Sequence, residues 1–123
     1  MELAKIIVID DDVSLRTVVR KVLERVGHEV REAADGRAGL DLVREQEPHL
    51  VISDLLMPEV DGLEVIQAIR EGFPELKVLA ISGAATQGWR PLECAELLGA
   101  HSSLGKPFHA GDLCTAVDRL LAT

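Results

Sequence analysis

Five short apolar runs, each followed by a stretch of helical spacing, constrain this chain more than any other feature. The runs are Lys5 to Ile9, His28 to Ala33, Leu50 to Asp54, Leu76 to Ile81 and His101 to Leu104. The second alternates apolar with polar residues, whereas the third is apolar enough for a strand covered on both faces. The fifth is the weakest. Between them, Val18, Val19, Val22, Leu23 and Val26 recur at helical spacing and Gly27 closes that helix. Ala38 to Gln46 follows with Leu40 and Val43 inward, closed by Pro48, after a turn signal at Asp35-Gly36. Gly62 to Glu71 carries Leu63, Ile66 and Ile69, with Asp61 before it as an N-cap. Pro91 to Leu98 has Pro at its first turn and Gly99 behind it. Ala110 to Leu121 closes the chain with Leu113, Val117, Leu120 and Leu121 inward. Strand and helix alternate about every 20–25 residues, the pattern of a parallel sheet with helices on both faces. The expected class is α/β and doubly wound, with residues 1–123 forming one domain around one core.

Composition narrows the function. Hydrophobic residues make up 47% of the chain but aromatics only 2%, so the core must be built from Val, Leu, Ile and Ala. A net charge of −8 argues against a direct nucleic-acid surface, which needs patches of Lys and Arg. No run of 18 apolar residues is present for a membrane span, and the acids in the opening MELAKIIVIDDD disfavour a signal peptide. Cys94 and Cys114 are too few and too far apart for a disulfide framework or a zinc site. They read as reduced thiols on helices of a cytoplasmic protein.

In a doubly wound fold, ligands bind beyond the carboxyl ends of the strands, where the strand order reverses. The polar residues that follow the apolar runs are Asp10, Asp11, Asp54, Ser82 and Lys106, and all of them fall on that edge. Asp54 sits where its strand emerges, under a loop stiffened by Pro58. Three carboxylates within ~5 Å would repel by roughly 3 kcal/mol per pair at an effective dielectric near 20. One lysine does not neutralise that; a divalent cation does. Oxygen-only ligation favours Mg²⁺, with Mn²⁺ or Ca²⁺ behind it. Asp12 is the member of its triplet best suited to cap a helix and nothing more. Mg²⁺ beside a carboxylate nucleophile, a hydroxyl and a lysine is equipped for phosphoryl transfer, which depends on positioning and positive charge. Asp54 would attack phosphorus, Asp10 and Asp11 would hold the ion, and Ser82 and Lys106 would each take a phosphoryl oxygen. Ser82 or Lys106 alone would carry little weight.

These sites together resemble the receiver domain of bacterial two-component response regulators. The resemblance runs through IVIDDD with Arg16 following, EAADGRAGL, VISDLLMPEVDG, LAISG, GA before the fifth strand, and GKPF. It implies a flavodoxin-like (βα)5 fold with a five-stranded parallel sheet of order 2-1-3-4-5. It further implies phosphoryl transfer from a histidine kinase or phosphotransfer protein to Asp54. Asp10, Asp11, Asp54 and the backbone carbonyl of Leu56 would ligate Mg²⁺, and Ser82 and Lys106 would contact the phosphoryl group. Such a chain catalyses only its own phosphorylation and dephosphorylation. Lys106-Pro107 would be a cis peptide. A downstream protein or output domain would meet the fourth and fifth helices, with homodimerisation on phosphorylation as a further expectation.

Two positions depart from the pattern. Ser103 stands where the family has an aromatic switch residue, and the interval from Ser82 to Lys106 is about two residues longer than usual. Output is therefore expected to run through Gly83 to Arg90, which includes Gly88 and Trp89, and the helix after it. Two rival readings remain open at this point. One is a degenerate receiver that binds protein without phosphorylation. The other is a haloacid-dehalogenase-like phosphatase with Asp10 as nucleophile and Asp12 as acid, but it leaves VISDLLMPEVDG unexplained. It also lacks an acidic pair after Lys106, since Asp112 and Asp118 lie six residues apart.

Overall fold

The computed structural model describes residues 3–55, 62–83 and 91–122. Five strands alternate with five helices in chain order. They are β1 (Lys5–Ile9), α1 (Val13–Val26), β2 (Glu29–Ala33), α2 (Gly36–Gln46), β3 (Leu50–Asp54), α3 (Gly62–Gly72), β4 (Lys77–Ser82), α4 (Pro91–Leu98), β5 (Ser102–Gly105) and α5 (Ala110–Leu121). The strands are all parallel, in the order β2-β1-β3-β4-β5. This is the doubly wound, flavodoxin-like sheet expected above. Parallel neighbours need a crossover, and each crossover here is one of the helices.

Side-chain parity along the strands separates the core into two layers. Ile7, Ile9, Val51, Val78 and Ala80 pack with Val43 of α2, Val65, Ile66 and Ile69 of α3 and Ala95 of α4. The alternate residues Ile6, Val8, Leu50, Ile52, Leu79 and Ile81 pack with Val19 and Leu23 of α1 and Leu113, Val117 and Leu120 of α5. Because both faces are covered, β3 is buried at all five positions, as its apolar run required. Edge strand β2 alternates buried with exposed residues, and edge strand β5 is only partly covered.

The helix register differs from expectation in two places. Val18 is 56% exposed, and the inward stripe of α1 is Leu15, Val19, Val22 and Leu23. A core-facing stripe at i, i+4, i+7 and i+8 passes one residue to the side of Val18. Asp35-Gly36 is not a free turn: Asp35 is the N-cap of α2 and accepts from the Ala38 N–H, so the helix begins two residues early. Gly39 is buried there because α2 crosses β1 closely; a Cβ at Gly39 would overlap Cγ1 and Cδ1 of Ile9. The Asp61 cap lies outside the described residues.

Three histidines close the amino-terminal edge of the sheet. His28, His49 and His101 each precede a strand, and each Nδ1 accepts a backbone N–H, from Ala4, Lys5 and Val78 respectively, at 3.0–3.1 Å. These bonds satisfy strand-end amides that the ladder leaves over. Among the described residues, no helix is long and apolar enough to cross a membrane.

Candidate phosphoryl-transfer and cation site

The carboxyl edge of the sheet collects the polar residues by register. Ile9 pairs with Ser53, so Asp10 and Asp54, one step further on, leave β1 and β3 side by side at the point where strand order reverses. Asp54 pairs with Ile81, which brings Ser82 next to it at the end of β4. Ser82 pairs with Gly105, and its carbonyl accepts the Lys106 N–H at 2.7 Å, which fixes Lys106 just beyond β5. The Lys106-Pro107 peptide is cis, in agreement with the resemblance.

One carboxylate oxygen from each of Asp10, Asp11 and Asp54 lies within 4.8 Å of the other two. Asp10 and Asp54 are buried and Asp11 is exposed. Lys106 Nζ stands 3.4 Å from Asp10 Oδ2 and 3.5 Å from Asp54 Oδ1, so one ammonium serves two buried acids. Two buried carboxylates against one cation leave an excess of negative charge, which a second cation would offset. The Ser82 hydroxyl is fully buried and finds no partner among the described residues. A buried hydroxyl without a partner is costly unless something occupies the space in front of it. An anionic oxygen there would satisfy it.

Asp12 behaves differently from its neighbours. Its Oδ1 accepts from the Ser14 and Leu15 N–H groups at 3.0 and 3.2 Å and caps α1, as expected. That engagement gives Asp12 the capping role instead of a place among the converging acids. The Leu56 carbonyl falls outside the described residues, as does the segment from residue 84 to 90. Ser103 does not stand idle in place of an aromatic: its hydroxyl donates to Glu96 of α4 at 2.7 Å. Cys114 is a free thiol on α5. A cleft of about 670 Å³ lies at the opposite, amino-terminal edge among Ala4, Val43, His49, Phe73, Leu76 and Leu120. None of the converging acids reaches it.

One group that sequence reading passed over is a brace behind the acids. Arg16 donates from Nη1 to the Asp10 carbonyl and from Nε to Glu32 Oε1, both at 2.8 Å. Arg20 Nε lies 2.8 Å from the other Glu32 oxygen, an ion pair without the alignment of a hydrogen bond. Arg16 was visible only as part of a motif; an isolated Glu in an edge strand gives no sign that two arginines converge on it.

Comparison with known proteins agrees with this fold. A family model, the response regulator receiver domain, matches residues 6–118. The probable chemotaxis protein CheY of Rhizobium etli is 36% identical over 95% of this chain and 92% of its own length. The DNA-binding transcriptional regulator NtrC of Azospirillum brasilense is also 36% identical, over 98% of this chain but only 25% of its own length. The crystal structure of the receiver domain of NtrX from Brucella abortus superposes with a TM-score of 0.90 at 34% identity, covering 96% of this chain and 98% of that one.

Proposed function

The chain belongs to the response regulator receiver domain family, and from that premise we propose that Asp54 accepts a phosphoryl group in a divalent-metal-dependent transfer. The donor would be the phosphohistidine of a sensor kinase or phosphotransfer protein. A carboxylate oxygen of Asp54 forms the new bond to phosphorus as the P–N bond to histidine breaks, giving an acyl phosphate. Asp10, Asp11 and Asp54 would hold Mg²⁺, or Mn²⁺ in its place, with the Leu56 carbonyl as a further ligand. The ion would supply positive charge to the equatorial oxygens of the transferring group. Lys106 would neutralise part of the same charge, and the Ser82 hydroxyl would donate to one phosphoryl oxygen.

The observation that carries this reading is the convergence of three carboxylates and one lysine at the strand-order reversal, with an orphaned buried hydroxyl beside them. The same convergence speaks against a degenerate receiver. One continuous five-stranded sheet covered on both faces supports one receiver domain over residues 1–123, and the family membership supports a cytoplasmic protein. Phosphorylation would then change how the α4 and α5 face meets a downstream protein, an output domain or a second copy.

Intact-mass measurement after incubation with a small phosphodonor tests the chemistry. Addition of one phosphoryl group in Mg²⁺, none in EDTA, and loss of the label in hydroxylamine are expected. A label that forms without metal, or that survives hydroxylamine, would rule out the proposed reaction.

A further inference from the structure

The turn joining β1 to α1 is held from behind by a side chain that phosphoryl transfer does not itself use. Arg16 reaches back from α1 to the Asp10 carbonyl, while Glu32 on β2 takes its Nε. The two side chains are only 14% and 25% exposed, so this pair is less screened than one on the open surface. Guanidinium donors form a rigid planar fork, so gripping Nε sets the direction of Nη1. Glu32 is itself fixed, paired with Val8 one step from the strand ends.

The Asp10 carbonyl belongs to the peptide unit that contains the Asp11 nitrogen. Holding that oxygen fixes a planar unit, and so fixes the point from which Asp11 departs. Asp10 has supports of its own, with Oδ1 accepting the Asp12 N–H at 2.9 Å and Oδ2 facing Lys106. Asp11 differs: among the described residues no hydrogen bond or ion pair holds its exposed carboxylate, yet one of its oxygens joins the trio. Its placement depends on the backbone, and the backbone there is tied to Arg16.

We propose that Arg16, braced by Glu32, is a positioning residue for the divalent cation, acting through the Asp10–Asp11 peptide. This rests on reading the acid trio as the cation site. Groups that orient ligands from behind control affinity without touching the ion. Arg20 supplies an internal control, because it shares Glu32 but has no hydrogen bond to the turn.

The test is an Mg²⁺ titration of the intact chain, followed by the amide resonances of residues 10–12, with thermal melts in EDTA alongside. Arg16→Met should raise the Kd roughly tenfold, and Arg16→Lys and Glu32→Gln by less, in the same direction. Arg20→Met should stay near wild type in Kd even if it lowers the melting temperature. Saturating Mg²⁺ should return phosphorylation of Arg16→Met to the wild-type rate, since affinity and not the chemistry is impaired. Equal weakening in Arg20→Met, or a lowered melting temperature with unchanged Kd in Arg16→Met, would overturn the proposal. Should Arg16→Met fail to fold, an unchanged Kd in Glu32→Gln would do the same. A wild-type protein whose residues 10–12 ignore Mg²⁺ would instead remove the cation reading on which the proposal rests.

Discussion

Asp11 and His101 show how the same fold treats two titratable side chains. Asp11 is exposed yet shares a 4.8 Å cluster with two buried carboxylates, so in the absence of metal it is a source of repulsion. Asp11→Ala should therefore melt at or slightly above the wild-type temperature in EDTA, and lose most of the rise that Mg²⁺ brings. An Mg²⁺-dependent rise equal to that of wild type would mean that Asp11 is not a ligand. His101 accepts the Val78 N–H on Nδ1, which only the neutral ring can do. Desolvation, then Arg70 and Lys77, hold its pKa below the ordinary histidine value. With the folded value depressed, the unfolded chain binds the proton more readily. The stabilisation is complete above about pH 6.5, the unfolded value, and is lost as pH falls through the folded one. Melts between pH 7 and 5 should fall more steeply for wild type than for His101→Asn, which does not titrate there; parallel curves would contradict this. Of these residue roles, the acids were legible because each ends an apolar run. The histidine caps were not, since the amide each one meets lies more than 20 residues away in the chain.

At the level of elements, strands and helices alike were readable to within about two residues, but the inward face of α1 was not. A strand covered on both faces is announced by its apolar run alone, whereas a helix face depends on phase. Valine at position 18 looks like part of a stripe until the packing partner is known. Asp35-Gly36 misleads for a related reason: an N-cap and a turn use the same residues. Gly39 also shows what a pattern leaves out, because nothing in the local sequence says that Ile9 lies against it. Gly39→Ala should cost roughly 1–3 kcal/mol by overpacking, although alanine is the better helix former. Denaturant unfolding checks this, and an unchanged midpoint would show that α2 can shift away from β1 freely. The Ser103–Glu96 hydrogen bond ties β5 to α4, a contact between elements that composition does not foretell.

For the molecule as a whole, alternation of five runs with five helices was enough for the class, and the family resemblance supplied the strand order β2-β1-β3-β4-β5. The parallel register then brings Asp10, Asp54, Ser82 and Lys106 to one edge, a convergence that no single motif contains. The charge balance of that edge, two buried acids around one lysine with a third acid outside, favours a cation there, and under the proposed function that cation and Lys106 would in turn offset the charge of an incoming phosphoryl group. Peptide mapping by mass spectrometry after phosphodonor treatment in Mg²⁺, on wild type and on Asp54→Asn, tests that claim most directly. The label should map to Asp54 in wild type, and the variant should take up none. A variant labelled as fully as wild type, or a wild-type label on Asp10, would contradict the account.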